Sequence, residues 1–202
     1  MAGEFPFDPA TLEFYAKEAP TYVASGAGGR SAHLDAFLAR LDRGASILEL
    51  GCGGGRDSEA MIAAGFDVDP TDGVPEIAAK AEHRLQRPVR AMRFDQIDAT
   101  EGYDAVWANA SLLHVPRLAL PTVLAAIARA LKPGGWHFAN FKAGGAEGRD
   151  RFGRYFSYLD LDELKSVYTE SASWRIRDIH AYEGGGYEGG RGPWVAITVQ
   201  KA

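Results

Sequence analysis

Residues 47–58 read ILELGCGGGRDS, a short apolar strand that ends on an acidic residue and glycines and leads straight into a helix. Glycine belongs where a backbone must turn sharply and approach a ligand with no Cβ in the way. The helix that follows offers unpaired N–H groups in its first turn. A tight strand–helix turn without a ligand is the bland alternative, but three alternating glycines exceed what such a turn needs. A dinucleotide loop of the form G-x-G-x-x-G needs a third glycine to pack helix against strand. Counted from Gly51, that position is Arg56. A phosphate loop fails as well, because no Gly-Lys-Ser/Thr follows. What stands here is E-x-G-x-G-x-G, carried by Glu49, Gly51, Gly53 and Gly55.

On both sides of this loop the chain alternates between helix and strand. Residues 31–41 place Leu34, Phe37, Leu38 and Leu41 at helical spacing, with Ser31 as a plausible N-cap. Helices are expected at 57–64, 75–85 (with Pro75 at its start) and 121–131, and strands at 66–71, 89–94, 103–109 and 136–141. Lys132-Pro133-Gly134-Gly135 stops one helix and launches a strand. This rhythm predicts a mostly parallel sheet covered on both faces. The tail departs from it. After a helix near 160–168, strands at 174–182 and 194–199 are separated by little more than GGGYEGGRG, too short for a covering helix, so they should form an antiparallel hairpin.

The 202 residues suffice for one well-buried domain. A hydrophobic share of 46% with 24% charged residues is an ordinary globular mix and excludes disordered and fibrous classes. The net charge of -5 disfavours nucleic acid as the main partner. Cys52 is the single cysteine, so no internal disulfide forms. With no signal-peptide pattern and no apolar run near the roughly 20 residues of a membrane span, a soluble cytoplasmic protein, monomer or homodimer, is expected. The five histidines show no ligand spacing, and no metal is expected.

The loop string, together with the order of the elements from about 41 to 141, resembles the class I S-adenosylmethionine (SAM)-dependent methyltransferases. Residues 107–116 (WANASLLHVP), the stretch opening at Phe141-Lys142 and the GRYF run at 153–156 look like the small tellurite-resistance type. The resemblance implies a Rossmann-like α/β fold: a seven-stranded sheet, mostly parallel, with a C-terminal antiparallel hairpin and helices on both faces. It implies one domain over 1–202, with residues 1–30 capping the cofactor and 142–158 forming an acceptor-side loop.

For SAM it implies Glu49 at the methionine amino group, and Gly51, Gly53 and Gly55 beneath the methionine and ribose. Cys52 is a small residue within that loop. Asp72, followed by Gly73, stands at the ribose hydroxyls, with Asp69 as its competitor. Asp95 faces the adenine amino group, between Phe94 and Gln96. Asn109 and Ala110 lie at the methionine end. Tyr15 and Tyr22 fall in the capping segment, and Arg30 stands where it can pair with the methionine carboxylate or be solvated. His114 is the candidate base, or else a packing histidine. Lys142, Arg154 and Tyr155 are candidate acceptor-binding residues, or parts of a solvated loop. The expected activity is in-line methyl transfer to a small molecule. A SAM-binding protein without transferase activity is the alternative, and an NAD-dependent oxidoreductase and a macromolecular methyltransferase are less favoured.

Overall fold

The computed structural model describes residues 6–25, 29–187 and 189–202. At its centre, β1 (Ser46–Leu50) and β4 (Tyr103–Ala108) run parallel and send alternate side chains into two apolar layers. Ile47, Ala105 and Trp107 meet Phe37 of α2 (Leu34–Leu38) and Met61 of α3 (Arg56–Ala63). Leu48, Leu50, Val106 and Ala108 meet Val123, Leu124 and Ile127 of α5 (Leu120–Ala130) and Leu164 of α6 (Leu161–Ser171). Burial on both faces is why these strands are mostly apolar, with only Ser46, Glu49 and Asp104 interrupting them, rather than alternating.

The full sheet has seven strands, in the order β3-β2-β1-β4-β5-β9-β8. Here β2 is Asp67–Asp72, β3 Arg90–Ala91, β5 Leu131–Lys142, β8 Trp174–Gly185 and β9 Arg191–Lys201. The first five strands are parallel, and β9 enters antiparallel between β5 and β8. The expected Rossmann-like sheet with an antiparallel C-terminal hairpin is therefore what forms. The chain lays β2 and β3 on one side of β1 and β4 and β5 on the other. The crevice at the carboxyl ends of β1 and β4 is the switch point where such sheets gather ligands.

Several elements differ from the expected ones. The helix foreseen over 31–41 shrinks to α2, and Ser31 does not cap it. Its N–H donates to Asp57 (2.7 Å) and its hydroxyl to Asn109 (3.3 Å). The strand foreseen over 89–94 keeps only the two residues of β3, because the chain turns at Phe94–Gln96, where the Gln96 side chain accepts the Arg93 N–H. Lys132 to Gly135 bulge out of β5: Leu131 pairs with Tyr103 and Trp136 with Ala105. Residues 148–156 fold into a small hairpin of β6 (Gly148–Arg149) and β7 (Tyr155–Phe156).

The N-terminal segment forms α1 (Pro9–Ala24), capped by Asp8, whose carboxylate accepts the Thr11 N–H (2.8 Å). It packs on α4 (Pro75–Leu85) through Ala19, Val74 and Ile77. Of that segment, residues 1–5 and 26–28 lie outside the described residues, as does Glu188 of the hairpin tip. Among the described residues no helix is long and apolar enough to cross a membrane.

Helix α6 starts with a reciprocal cap. Asp160 accepts the Glu163 N–H (2.8 Å), and Glu163 accepts that of Asp160 (2.9 Å). Asp160→Ala should lower stability by about 1 kcal/mol, measured as the shift of the urea midpoint at unchanged slope.

Candidate functional site

Thr71 fixes the glycine loop to the sheet. Its carbonyl accepts the N–H groups of Gly51 (2.9 Å) and Cys52 (2.8 Å), and its hydroxyl donates to the Glu49 carbonyl (2.7 Å). Gly51, Gly53 and Gly55 all take positive φ, at 75°, 54° and 77°. At Gly51 space matters as well as φ, because a Cβ there would stand 2.6 Å from the Ser111 Cβ. Both constraints require glycine.

Three buried acids surround the loop. Asp72, at the end of β2, accepts the N–H groups of Gly53 (3.0 Å) and Val74 (2.9 Å), one on each oxygen. Burial pushes its carboxyl up to about 6 against those two bonds. Glu49 lies behind the loop and accepts the Ser58 hydroxyl. Burial drives it up to about 8, and the charges of Asp57 and Asp72 add to this while Ser58 opposes it. Asp57 accepts from Ser31, from the Trp107 indole (2.9 Å) and from Asn109 (3.4 Å), and burial raises it too. No ion pair reaches any of the three among the described residues.

Two cavities open beside the loop. The first is bounded by Gly51, Gly53, Asp72, Gly73, Phe94 and Ser111, with Leu12 of α1 above them. The second, of about 470 Å³, lies between Asn109, Asn140, Lys142, Phe156, Tyr182 and Trp194. Tyr15, Tyr22, Ala110 and His114 line both and form the wall between them. Ala110 holds a positive φ of 51° without being glycine, and its N–H donates to the Asn140 side chain. A strained residue of this kind persists only where its surroundings hold it.

The wall is built from an extended hydrogen-bond chain. Asp150 takes the Arg154 guanidinium on one oxygen through Nε (2.9 Å) and Nη2 (2.6 Å). Arg154 Nη1 reaches the Tyr15 oxygen (2.9 Å), Tyr15 reaches His114 Nε2 (3.0 Å), and His114 Nδ1 meets the Tyr155 carbonyl (2.7 Å). Burial pushes Tyr15 up to about 12 and His114 down to about 4; the neighbouring cations of Arg154 and Lys142 press His114 the same way. His114 is therefore neutral across physiological pH.

The structure brings together most of the residues singled out in the sequence. Tyr15, Tyr22, Gly51, Gly53, Asp72, Gly73, Phe94, Asn109, Ala110, His114, Lys142 and Arg154 all line one or both cavities. Others stand apart. Arg30 pairs with Asp35 at the surface. Asp95 is held by Arg93 (2.9 and 3.0 Å), and Gln96 caps the same turn, so neither borders a cavity. Glu49, behind the loop, and Cys52 and Gly55, within it, border neither cavity. Asp69 pairs with Arg90 on the outside of β2 and borders neither cavity, whereas Asp72 borders the first. Tyr155 turns its ring away, its hydroxyl bonded to Glu147 and to the Arg117 N–H (2.9 Å), and Phe156 takes the place at the cavity. Asn140, Tyr182 and Tyr187 were not foreseen. Tyr187 arrives from the hairpin tip to pack its ring on Tyr22, with 5.4 Å between centroids.

Residues 47–135 match a family model described as a methyltransferase domain. A ubiquinone biosynthesis O-methyltransferase of Xanthomonas oryzae pv. oryzae is 40% identical over 111 residues, which are 50% of this chain and 45% of that protein. The chain thus spans less than half the length of that curated relative. Among solved structures, the Burkholderia thailandensis 1,6-didemethyltoxoflavin-N1-methyltransferase, with its namesake compound and S-adenosylhomocysteine bound, superposes with a TM-score of 0.78. Identity is 20%, over 96% of this chain and 88% of that one. TehB from Haemophilus influenzae gives 0.71 at 16% identity, over 85% and 62%. These two likenesses show a shared fold.

The acids make stability depend on pH. A carboxyl held near 8 when folded and at its ordinary 4.5 when unfolded binds a proton in the folded state alone between those values. Its contribution is therefore lost as pH rises through 8. Asp72 adds a decline that ends near 6. His114 and His137, both lowered to about 4, give an opposing rise that is complete by about 6.5. Glu49→Gln should thus flatten the loss of stability between pH 6.5 and 8, measured by urea unfolding at stepped pH. An unchanged slope there would show that Glu49 is already ionised.

Proposed function

We propose that the chain is a class I SAM-dependent methyltransferase that moves a methyl group from SAM to a small-molecule acceptor; the methyltransferase-domain match over 47–135 and the shared fold support this reading. The observation that carries this reading is the shared wall, which joins a cavity floored by the glycine loop and Asp72 to a larger one lined by rings and amides.

The residues fit such a cofactor. The buried Ser111 hydroxyl borders the first cavity and has no hydrogen-bond partner among the described residues. Each Asp72 oxygen accepts one backbone N–H and keeps lone pairs for ribose hydroxyls. Three buried acids that no ion pair reaches among the described residues suit a ligand that bears positive charge. Phe94 offers its ring to the adenine, and the Asn109–Asn140 pair (3.0 Å) holds the methionine end. Tyr15 and Tyr22 turn rings toward the cation.

When bound, SAM supplies a methyl group on a cationic sulfur, open to in-line displacement. The protein's part is mostly alignment and exclusion of water. Helix α1 and the hairpin tip cover the two cavities, and Lys142, Arg154 and Phe156 border the acceptor's place. The curated relative and the toxoflavin enzyme are named for oxygen and nitrogen methylation, and either atom suits the cavity here. The neutral His114 has a lone pair on Nε2 and serves as the base. The lone buried Cys52 suits a cytoplasmic setting.

Calorimetric titration with SAM, S-adenosylhomocysteine and NAD should give micromolar binding of the first two and none of NAD. Binding of NAD alone would overturn the reading, and SAM binding without turnover on any acceptor would leave a binding protein. Asp72→Ala should weaken SAM at least tenfold, about 1.4 kcal/mol. Unchanged affinity would remove Asp72 from the ribose. His114→Ala should leave SAM affinity within about threefold while slowing transfer about a hundredfold. A large loss of SAM affinity would move His114 into the cofactor site.

A further inference from the structure

The chain from Arg154 to Tyr155 has only one possible direction. A guanidinium has no lone pair, so Arg154 donates to the Tyr15 oxygen at 2.9 Å. A carbonyl has no proton, so His114 Nδ1 must donate to Tyr155 at 2.7 Å. That leaves His114 Nε2 bare, and the Tyr15 hydroxyl donates to it at 3.0 Å. Both ends are anchored. Arg154 is 2% exposed and locked on Asp150, and the Tyr155 N–H is itself held by Thr11 (2.8 Å). Every proton along this chain is thereby committed, and the Tyr15 oxygen keeps one lone pair.

A group that docks on the Tyr15 oxygen meets an acceptor, because the one proton of that hydroxyl is already given to His114. It must bring its own proton. The neighbouring surfaces are flat rings: Phe156, and Tyr182 and Trp194 lying 29° apart in plane at 6.2 Å. We propose that Tyr15 receives the proton of a ring-borne hydroxyl on the acceptor and passes its own to His114 Nε2, with Arg154 as the positioning residue that sets the direction. This inference rests on the methyl-transfer reading of the same site.

The step balances. The acceptor oxygen forms its bond to the methyl carbon, and the pair of the breaking carbon–sulfur bond stays on sulfur. The hydroxyl proton goes to the Tyr15 oxygen, and the former Tyr15 proton goes to Nε2. His114 gains one positive charge as the sulfur loses one, so the total charge of the site is unchanged. That conservation lets a histidine disfavoured as a cation act here. Before transfer, burial and the cations of Arg154 and Lys142 keep it neutral, against the Tyr155 carbonyl and the Asp150 carboxylate, which favour its charge. With the sulfonium charge gone, one of the obstacles to its protonation is gone too.

Nitrogen NMR of the histidines, in protein loaded with S-adenosylhomocysteine, reads this arrangement without turnover. His114 should show the Nδ1–H tautomer. Catechol should shift its Nε2 signal in the wild type and leave Tyr15→Phe unmoved, and 1,2-dimethoxybenzene, which has no proton to give, should shift neither. In the assay, Tyr15→Phe should lower kcat for catechol about a hundredfold, with KM for SAM unchanged. The opposite tautomer, a silent wild type, an equal response to the ether, or a catechol response that survives Tyr15→Phe would each overturn the proposal. Signals of S-adenosylhomocysteine in the same sample report cofactor binding separately. If it does not bind, the cofactor reading falls, and the tautomer and catechol response of the ligand-free protein still decide this one.

Discussion

One carbonyl oxygen accepts two backbone N–H groups where the first two strands of the sheet end: Thr71 holds both Gly51 and Cys52. The rest of the site is built on that clamp. It sets the height at which the loop leaves β1, and so where Gly53 meets Asp72 and where Gly51 lies against Ser111. The left-handed glycines follow from it, because a loop tied down at its first two residues has no slack in which to turn by any other route. Glu49 is then trapped behind the loop, among acids and without a cation.

The second ordering element is α1. It contributes little to the sheet layers and much to the site. Thr11 supports the Tyr155 backbone, Asp8 pairs with Arg149 (2.6 Å), and Tyr15 and Tyr22 build the wall. The hairpin of β6 and β7 and the tip near Tyr187 close on the same helix, so three segments far apart in sequence meet around Arg154.

The central strands β1 and β4 were legible because they pack between two layers and are mostly apolar. The loop was legible because alternating glycines have few other uses. The side-chain details were less so. Tyr155 and Phe156 are adjacent on a two-residue strand, where a shift of one residue exchanges the two faces. Spacing cannot fix so short a phase, and the acceptor-side place expected for Tyr155 is held by Phe156. Helix α1 carries Pro20 and packs few buried side chains of its own, so it shows no apolar stripe. Asp8-Pro9, a cap followed by proline at the first turn, was the signal that could have found it. Arg30 and Asp95 sit in suitable places along the chain, but nearby partners, Asp35 and Arg93, hold them. Such short-range pairings leave no trace in spacing.

The segment shared with other methyltransferase domains, 47–135, holds the clamp, the loop and Asp72. Most of the second cavity comes from outside it: Tyr15, Lys142, Arg154, Phe156, Tyr182 and Trp194. The division of labour is thus written along the chain as well as across the fold. Lineages that diverge from this scaffold can exchange much of the flanks, and with them the lining of the second cavity, while the clamp, the glycine loop and Asp72 are inherited as one contiguous block.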